Sequence, residues 1–123
     1  HSAEIITQGL VDLGVLEGSV AENLEDESWR HFYMHGLGHF LGLDVHDVGN
    51  YKVEGEDRPL KPGMVITIEP GVYISQDSDA PDKYKGIGVR IEDDVVITAT
   101  GVEILTSDVP KEIDEIEALM AKS

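Results

Sequence analysis

The run Leu60-Lys-Pro-Gly-Met64-Val-Ile-Thr-Ile-Glu69-Pro-Gly71 decides the fold class. Pro62-Gly63 is turn punctuation, and Pro59–Gly63 reads as a turn. Met64–Ile68 is a β-branched run that predicts a strand. Glu69-Pro70-Gly71 stops it, because proline fixes its own backbone and has no N–H to give a ladder. Strand alternation sets Glu69 on the face of Val65 and Thr67. Downstream, Val72–Ile74 reads as a short strand, and residues 76–83, acidic and proline-containing, as a surface loop. Gly86–Ile91 and Asp94–Thr98 read as strands, and Thr100-Gly101 turns the chain into another over 102–106. Upstream, residues 2–16 carry Ile5, Ile6, Leu10, Leu13 and Leu16 near helical spacing, with Gly14 close to the end. Ser19 with Glu22 is a capping box that opens a short second helix, and polar 25–28 form a loop. At the other end Pro110 falls in the first turn of a final helix running to about Ala121. Its apolar stripe is Ile113, Ile116, Leu119 and Met120. Helices, then mostly antiparallel strands, then a helix make an α+β arrangement.

The composition narrows the function. The 123 residues hold 9 Lys plus Arg against 25 Asp plus Glu, a net charge of −16. That charge repels a nucleic-acid backbone and leaves metal cations and basic peptides or proteins open. Most of the acids form a solvated surface. The chain has no cysteine, which removes disulfides, thiolate nucleophiles and Cys-ligated zinc and fits a reducing compartment. No stretch approaches the ~20 apolar residues that span a bilayer.

Trp29–Val48 holds four of the five histidines. Three fall in His35-Gly-Leu-Gly-His39 and Asp44-Val45-His46-Asp47. Gly36 and Gly38 disfavour a long regular helix there and let a ligand approach the backbone. His35 and His39 have the spacing of a zinc helix, but Gly36 stands where H-E-x-x-H needs its glutamate, so that site is excluded. A metal or catalytic role and a structural histidine cluster both fit this segment alone. Two carboxylates stand at strand ends: Glu69, and Glu92 after Gly86–Ile91, where it shares a face with Gly88 and Arg90. Singly, each fits a solvated acid or a weak surface ion pair. Together with one imidazole they make a hard donor set suited to Mn²⁺ or a similar ion.

Three motifs, in this order and spacing, then carry a resemblance over essentially the whole chain. They are His35-Gly-Leu-Gly-His39-Phe-Leu-Gly-Leu-Asp-Val-His46-Asp47, Leu60 to Gly71, and Gly86-Ile-Gly-Val-Arg90-Ile-Glu92-Asp. The chain resembles the C-terminal half of the catalytic domain of the Xaa-Pro aminopeptidases, metallopeptidases with the pita-bread fold. The resemblance implies the second half of that fold, a curved antiparallel sheet with flanking helices. It implies hydrolysis of the bond before proline through a water shared by two metals, usually Mn²⁺. By motif position His39, Glu69 and Glu92 match metal ligands, with Glu92 bridging and Glu69 also the general base. His35 and His46 match the substrate-binding and catalytic histidines. Arg90 matches a residue that supports the ligands or contacts substrate, Tyr73 is a weaker candidate for supporting them, and Arg90, Asp44 and Asp47 are placed to orient histidines.

The family's site also needs two aspartates and another histidine from the first half of the catalytic domain. Asp82 and Asp93 have the family's separation, but Asp82 lies in the acidic loop and Asp93 belongs to the Glu92 motif, so the spacing is coincidental. The chain, 1–123, therefore reads as the C-terminal part of the catalytic domain, without the family's N-terminal domain and inactive alone. Its expected partners are a peptide with proline second and the remaining catalytic half. The parent protein is expected to be cytoplasmic and a homo-oligomer, with no nucleic-acid or membrane partner. Two alternatives stay open, a prolidase acting on Xaa-Pro dipeptides and a pita-bread module that only grips peptides or histones.

Overall fold

The computed structural model describes residues 1–121. In chain order its elements are α1 (Ser2–Asp12), α2 (Val20–Glu25), β1 (Lys52–Val53), β2 (Glu56–Asp57), β3 (Val65–Ile68), β4 (Gly71–Tyr73), β5 (Gly88–Arg90), β6 (Asp93–Ile97), β7 (Val102–Ile104) and α3 (Ile113–Met120). Short 3-10 turns occupy Ser28–His31 and Asp82–Tyr84. Every strand pairing is antiparallel, so the class is α+β. The chain divides into two units, His1–Leu37 with Pro70–Arg90, and Gly38–Glu69 with Ile91 onward. Each crossing falls inside one of the three motifs.

In the first unit α1 turns Thr7 and Leu10 inward. Leu10, Phe32, Ile74 and Ala80 form the core, with Ile6, Val15, Leu16, Trp29, Val72 and Tyr84 packed around it. The helix predicted over 2–16 ends at Asp12. Gly14 takes φ +69°, the left-handed conformation that terminates helices. Val15 and Leu16 then fold back, both donating to the Leu10 carbonyl at 2.8 and 3.1 Å, and join the core. Leu10 is 2% exposed. Leu10→Ala in the complete protein is expected to cost about 2–5 kcal/mol, read from denaturant unfolding.

The capping box forms as the sequence predicts. Glu22 Oε2 accepts from the Ser19 hydroxyl at 2.7 Å and from its N–H at 2.8 Å, while Ser19 Oγ accepts from the Glu22 N–H at 3.3 Å. The bonds from the Ser19 hydroxyl and then its N–H hold the Glu22 carboxyl below the usual glutamate range. A lowered folded pKa favours the ionised form, so this stabilisation is complete above the ordinary value of about 4.3. It fades as pH falls through the lowered value. Replacing Glu22 with glutamine is expected to flatten the acid limb of the thermal-stability profile slightly. An unchanged acid limb would show that the cap carries no such linkage.

β4 pairs with β5 in the register Gly71↔Arg90, Val72↔Val89 and Tyr73↔Gly88. The strand predicted over Gly86–Ile91 is shorter. Gly86 turns at φ +77°, and Ile91 and Glu92 lie outside any strand. Glu92 therefore stands before β6 and does not extend a strand containing Gly88 and Arg90.

The second unit holds a sheet of order β3-β6-β7. Lys61–Met64 is the turn that feeds it. Met64 N–H donates to the Lys61 carbonyl at 3.1 Å, Pro62 sits at the second position, and Gly63 has φ +89°, as a type II turn requires. β3 pairs with β6 from Val65↔Val96 to Ile68↔Asp93. β3 also takes a bridge from the histidine motif, Phe40↔Ile66. The β1–β2 hairpin went unpredicted, its two-residue strands being too short for any periodicity.

The final helix starts at Ile113, so Pro110 precedes it. Lys111 explains the delay. Its Nζ donates to the carbonyls of Thr106 at 2.8 Å and Val109 at 3.1 Å and to Asp93 Oδ1 at 3.0 Å, pinning the segment as a turn. None of α3 is buried, and its stripe of Ile113, Ile116, Leu119 and Met120 is exposed. Among the described residues no helix is long and apolar enough to cross a membrane.

Candidate metal centre

Sheet register explains how residues distant in sequence meet in the second unit. Continuing the β3–β6 ladder one step past Ile68↔Asp93 sets Glu69 opposite Glu92. Continuing the bridge one step from Phe40↔Ile66 sets His39 opposite Thr67. Thr67 and Glu69 share a face by alternation, so all four side chains converge beside the end of the β3–β6 pair. His39, Glu69 and Glu92 each offer a ligand atom, all within 4.8 Å of one another. Among the described residues no other such group of three occurs.

The protonation pattern inside this cluster suits a cation. His39 Nδ1 lies 3.0 Å from the Phe40 carbonyl, so Nδ1 carries the hydrogen and donates it. In the neutral imidazole Nε2 then holds a lone pair, and it faces Glu69 Oε1 at 3.2 Å. Two acceptors at that distance repel unless a proton or a metal cation joins them. The side chains are only 19% and 12% exposed, so water screens the pair weakly. One imidazole and two carboxylates are hard donors, which fit a divalent ion of the Mn²⁺ type. Three protein donors leave such an ion short of its coordination number, so further ligands must come from outside this group.

His46 stands beside this cluster, its ring edge-on to His39 with centroids 4.4 Å apart. The loop bringing it there closes with Asp47 N–H donating to the Phe40 carbonyl at 3.0 Å. Asp47 was placed by sequence to orient a histidine. Its Oδ1 instead accepts from the Val48 N–H at 2.9 Å, and its carboxylate lies where a side chain on Gly42 would be. Asp47 shapes the loop.

His35, Tyr73 and Arg90 belong to the first unit. His35 Nδ1 donates to the Gly36 carbonyl at 2.8 Å, leaving Nε2 to accept from the Tyr73 hydroxyl at 3.2 Å. Gly71 leaves room for that contact, since a Cβ there would meet Tyr73 Oη at 2.7 Å and His35 Nε2 at 3.0 Å. Tyr33, which sequence reading missed, is 3% exposed and meets the His35 ring edge-on at 5.0 Å. Arg90 lies at the end of β5, opposite Gly71.

Asp82 and Asp93 do not form a ligand pair. Asp82 belongs to the first unit, with its carboxylate 2.9 Å from Lys85 Nζ. Asp93 belongs to the second, where Oδ1 accepts from the Thr106 hydroxyl at 2.6 Å and from Lys111. These bonds, Thr106 first and then Lys111, hold the Asp93 carboxyl below the usual aspartate range.

Sheet register, donor types and hydrogen-bond directions together define a candidate site for a divalent cation. The chain belongs to metallopeptidase family M24, which it matches over residues 3–99. It is 62% identical over 116 residues to the Xaa-Pro aminopeptidase of Haemophilus influenzae, covering 94% of this chain and 27% of that protein. It superposes on Escherichia coli aminopeptidase P with the inhibitor Pro-Leu at a TM-score of 0.91 and 55% identity, covering 98% of this chain and 27% of that one. Pseudomonas aeruginosa aminopeptidase PepP gives 0.93 and 58%, with coverages of 98% and 27%. The chain thus spans about a quarter of the length of these relatives.

Proposed function

We propose that this chain is the C-terminal part of the catalytic domain of a pita-bread metallo-aminopeptidase that releases the residue before proline. The observation carrying this reading is the convergence of His39, Glu69 and Glu92, with ligand atoms within 4.8 Å of one another, beside the end of the β3–β6 pair. The high identity to Xaa-Pro aminopeptidases and the likeness to an aminopeptidase P that binds Pro-Leu support the choice of substrate. Mn²⁺ is the ion we assign, on the hard donor set. When bound, two such ions lower the pKa of water and polarise the peptide carbonyl.

This chain's own residues divide the remaining work. Glu69 is fixed by its neighbours with an oxygen turned to the cluster, and it accepts the proton of the attacking water. His46, edge-on to His39, would donate to the developing oxyanion. His35, held by Tyr73, binds substrate and helps stabilise the transition state, and the proton that Glu69 takes from the water passes to the leaving proline nitrogen, a poor leaving group unless protonated. Arg90 binds substrate through its fixed charge. The remaining ligands would come from the other half of the catalytic domain, so residues 1–123 alone are inactive. A cytoplasmic location fits the lack of cysteine, and we expect a homo-oligomer.

The test is product analysis with the complete protein and Mn²⁺. An Xaa-Pro-Xaa tripeptide is expected to lose its first residue. Cleavage of Xaa-Pro dipeptides alone would make the protein a prolidase. Cleavage of neither by folded, metal-loaded protein would leave a peptide-binding module.

A further inference from the structure

We infer that Thr67, which belongs to no ligand set, is a positioning residue that locks two of the three proposed metal ligands through one buried hydroxyl. The inference rests on the metal-site reading above and extends it to a side chain beneath the ligands.

Thr67 is 1% exposed, among the most buried residues of the chain. Its Oγ1 accepts from the His39 N–H at 3.0 Å and donates to Glu69 Oε1 at 2.9 Å. Its own N–H donates to the His39 carbonyl at 2.9 Å. A hydroxyl has a single proton. The His39 N–H can only donate, so Oγ1 must receive there and its proton is left for Glu69. The directions are therefore forced, and both ligands are referenced to the same oxygen atom. Turning the Glu69 carboxylate breaks one bond, and lifting His39 from the strand breaks the other. In a site this dry each lost bond leaves a poorly solvated polar group, which resists both motions.

Gly38 shows that the approach is built in. A Cβ on Gly38 would collide with the Thr67 carbonyl oxygen. Only a residue without a side chain lets the His39 backbone come close enough to reach Oγ1. Valine in place of threonine keeps the β-branched shape that suits a strand and removes the hydroxyl. Serine keeps the hydroxyl and removes the methyl group. The pair separates the bond from the packing.

The experiment is calorimetric titration of Mn²⁺ into the complete protein as wild type, Thr67→Val, Thr67→Ser and His39→Ala, with thermal unfolding of each metal-free form. Thr67→Val is expected to bind 10–100-fold more weakly, the usual effect of losing a partner that orients a ligand. Thr67→Ser should bind within a few-fold of wild type even if its melting temperature falls. The Co²⁺-loaded Thr67→Val protein should also show a shifted visible spectrum, which a fault in packing remote from the ion would not produce. If Thr67→Val does not fold, Thr67→Cys replaces it. Its weak S–H donor should give a loss between those of serine and valine.

Native affinity and spectrum in Thr67→Val, with binding lost in His39→Ala, would overturn the role of Thr67 and leave the metal site standing. Affinity that falls as much in Thr67→Ser as in Thr67→Val would overturn it too, because the methyl packing would then be what matters. Native affinity in His39→Ala would overturn the metal-site reading itself, and this inference with it.

Discussion

Glu69→Gln in the complete protein is expected to lower kcat by about 10²- to 10⁴-fold, the contribution of a positioned general base. The fold should survive, for a specific reason. The amide oxygen of glutamine still accepts from the Thr67 hydroxyl, which in the native chain sits 2.9 Å from Glu69 Oε1. Proton acceptance is lost, and so is the negative charge facing His39 Nε2 at 3.2 Å. Melting temperature and circular dichroism should stay close to wild type while turnover collapses. A turnover within a few-fold of wild type would remove Glu69 from proton transfer.

His39→Ala and Glu92→Gln should each weaken divalent-ion binding by more than the 10–100-fold typical of losing an outer partner, because each removes or neutralises a direct donor. Neither belongs to the buried set. The His39 side chain is 19% exposed and Glu92 is exposed. Their substitution should therefore leave the metal-free protein nearly as stable as before. Loss of Mn²⁺ affinity with retained stability separates a ligand from a structural residue. Retained affinity in both variants would show that the cluster holds no ion.

How legible these features are in the sequence follows from the physics of each. β3 and its stop were legible because a β-branched run closed by Pro-Gly has few other solutions. The face shared by Thr67 and Glu69 came from the same two-residue period. Glu92 was assigned to the end of the wrong strand. Its run from Gly86 alternates as a strand should, and only pairing shows that the ladder breaks at Ile91 and that Asp93 opens β6. Register is a property of two strands, so no local pattern sets Glu69 opposite Glu92. The end of α1 at Asp12 was hidden by Val15 and Leu16, apolar for a core they reach by folding back beyond Gly14. Pro110 suggested a helix start, but Lys111, bonded to Thr106 and Val109 and to the distant Asp93, holds that segment as a turn. Thr67 escaped notice because a threonine in a strand is ordinary. Its role appears only when the His39 backbone is seen to lie against it.

The most direct test is anomalous diffraction from crystals of the complete protein soaked in Mn²⁺, collected near the manganese edge. Anomalous peaks are expected within coordination distance of His39 Nε2 and of carboxylate oxygens of Glu69 and Glu92. A fully soaked crystal with no peak at these three residues, or with its peaks elsewhere, would show that they do not hold the ion.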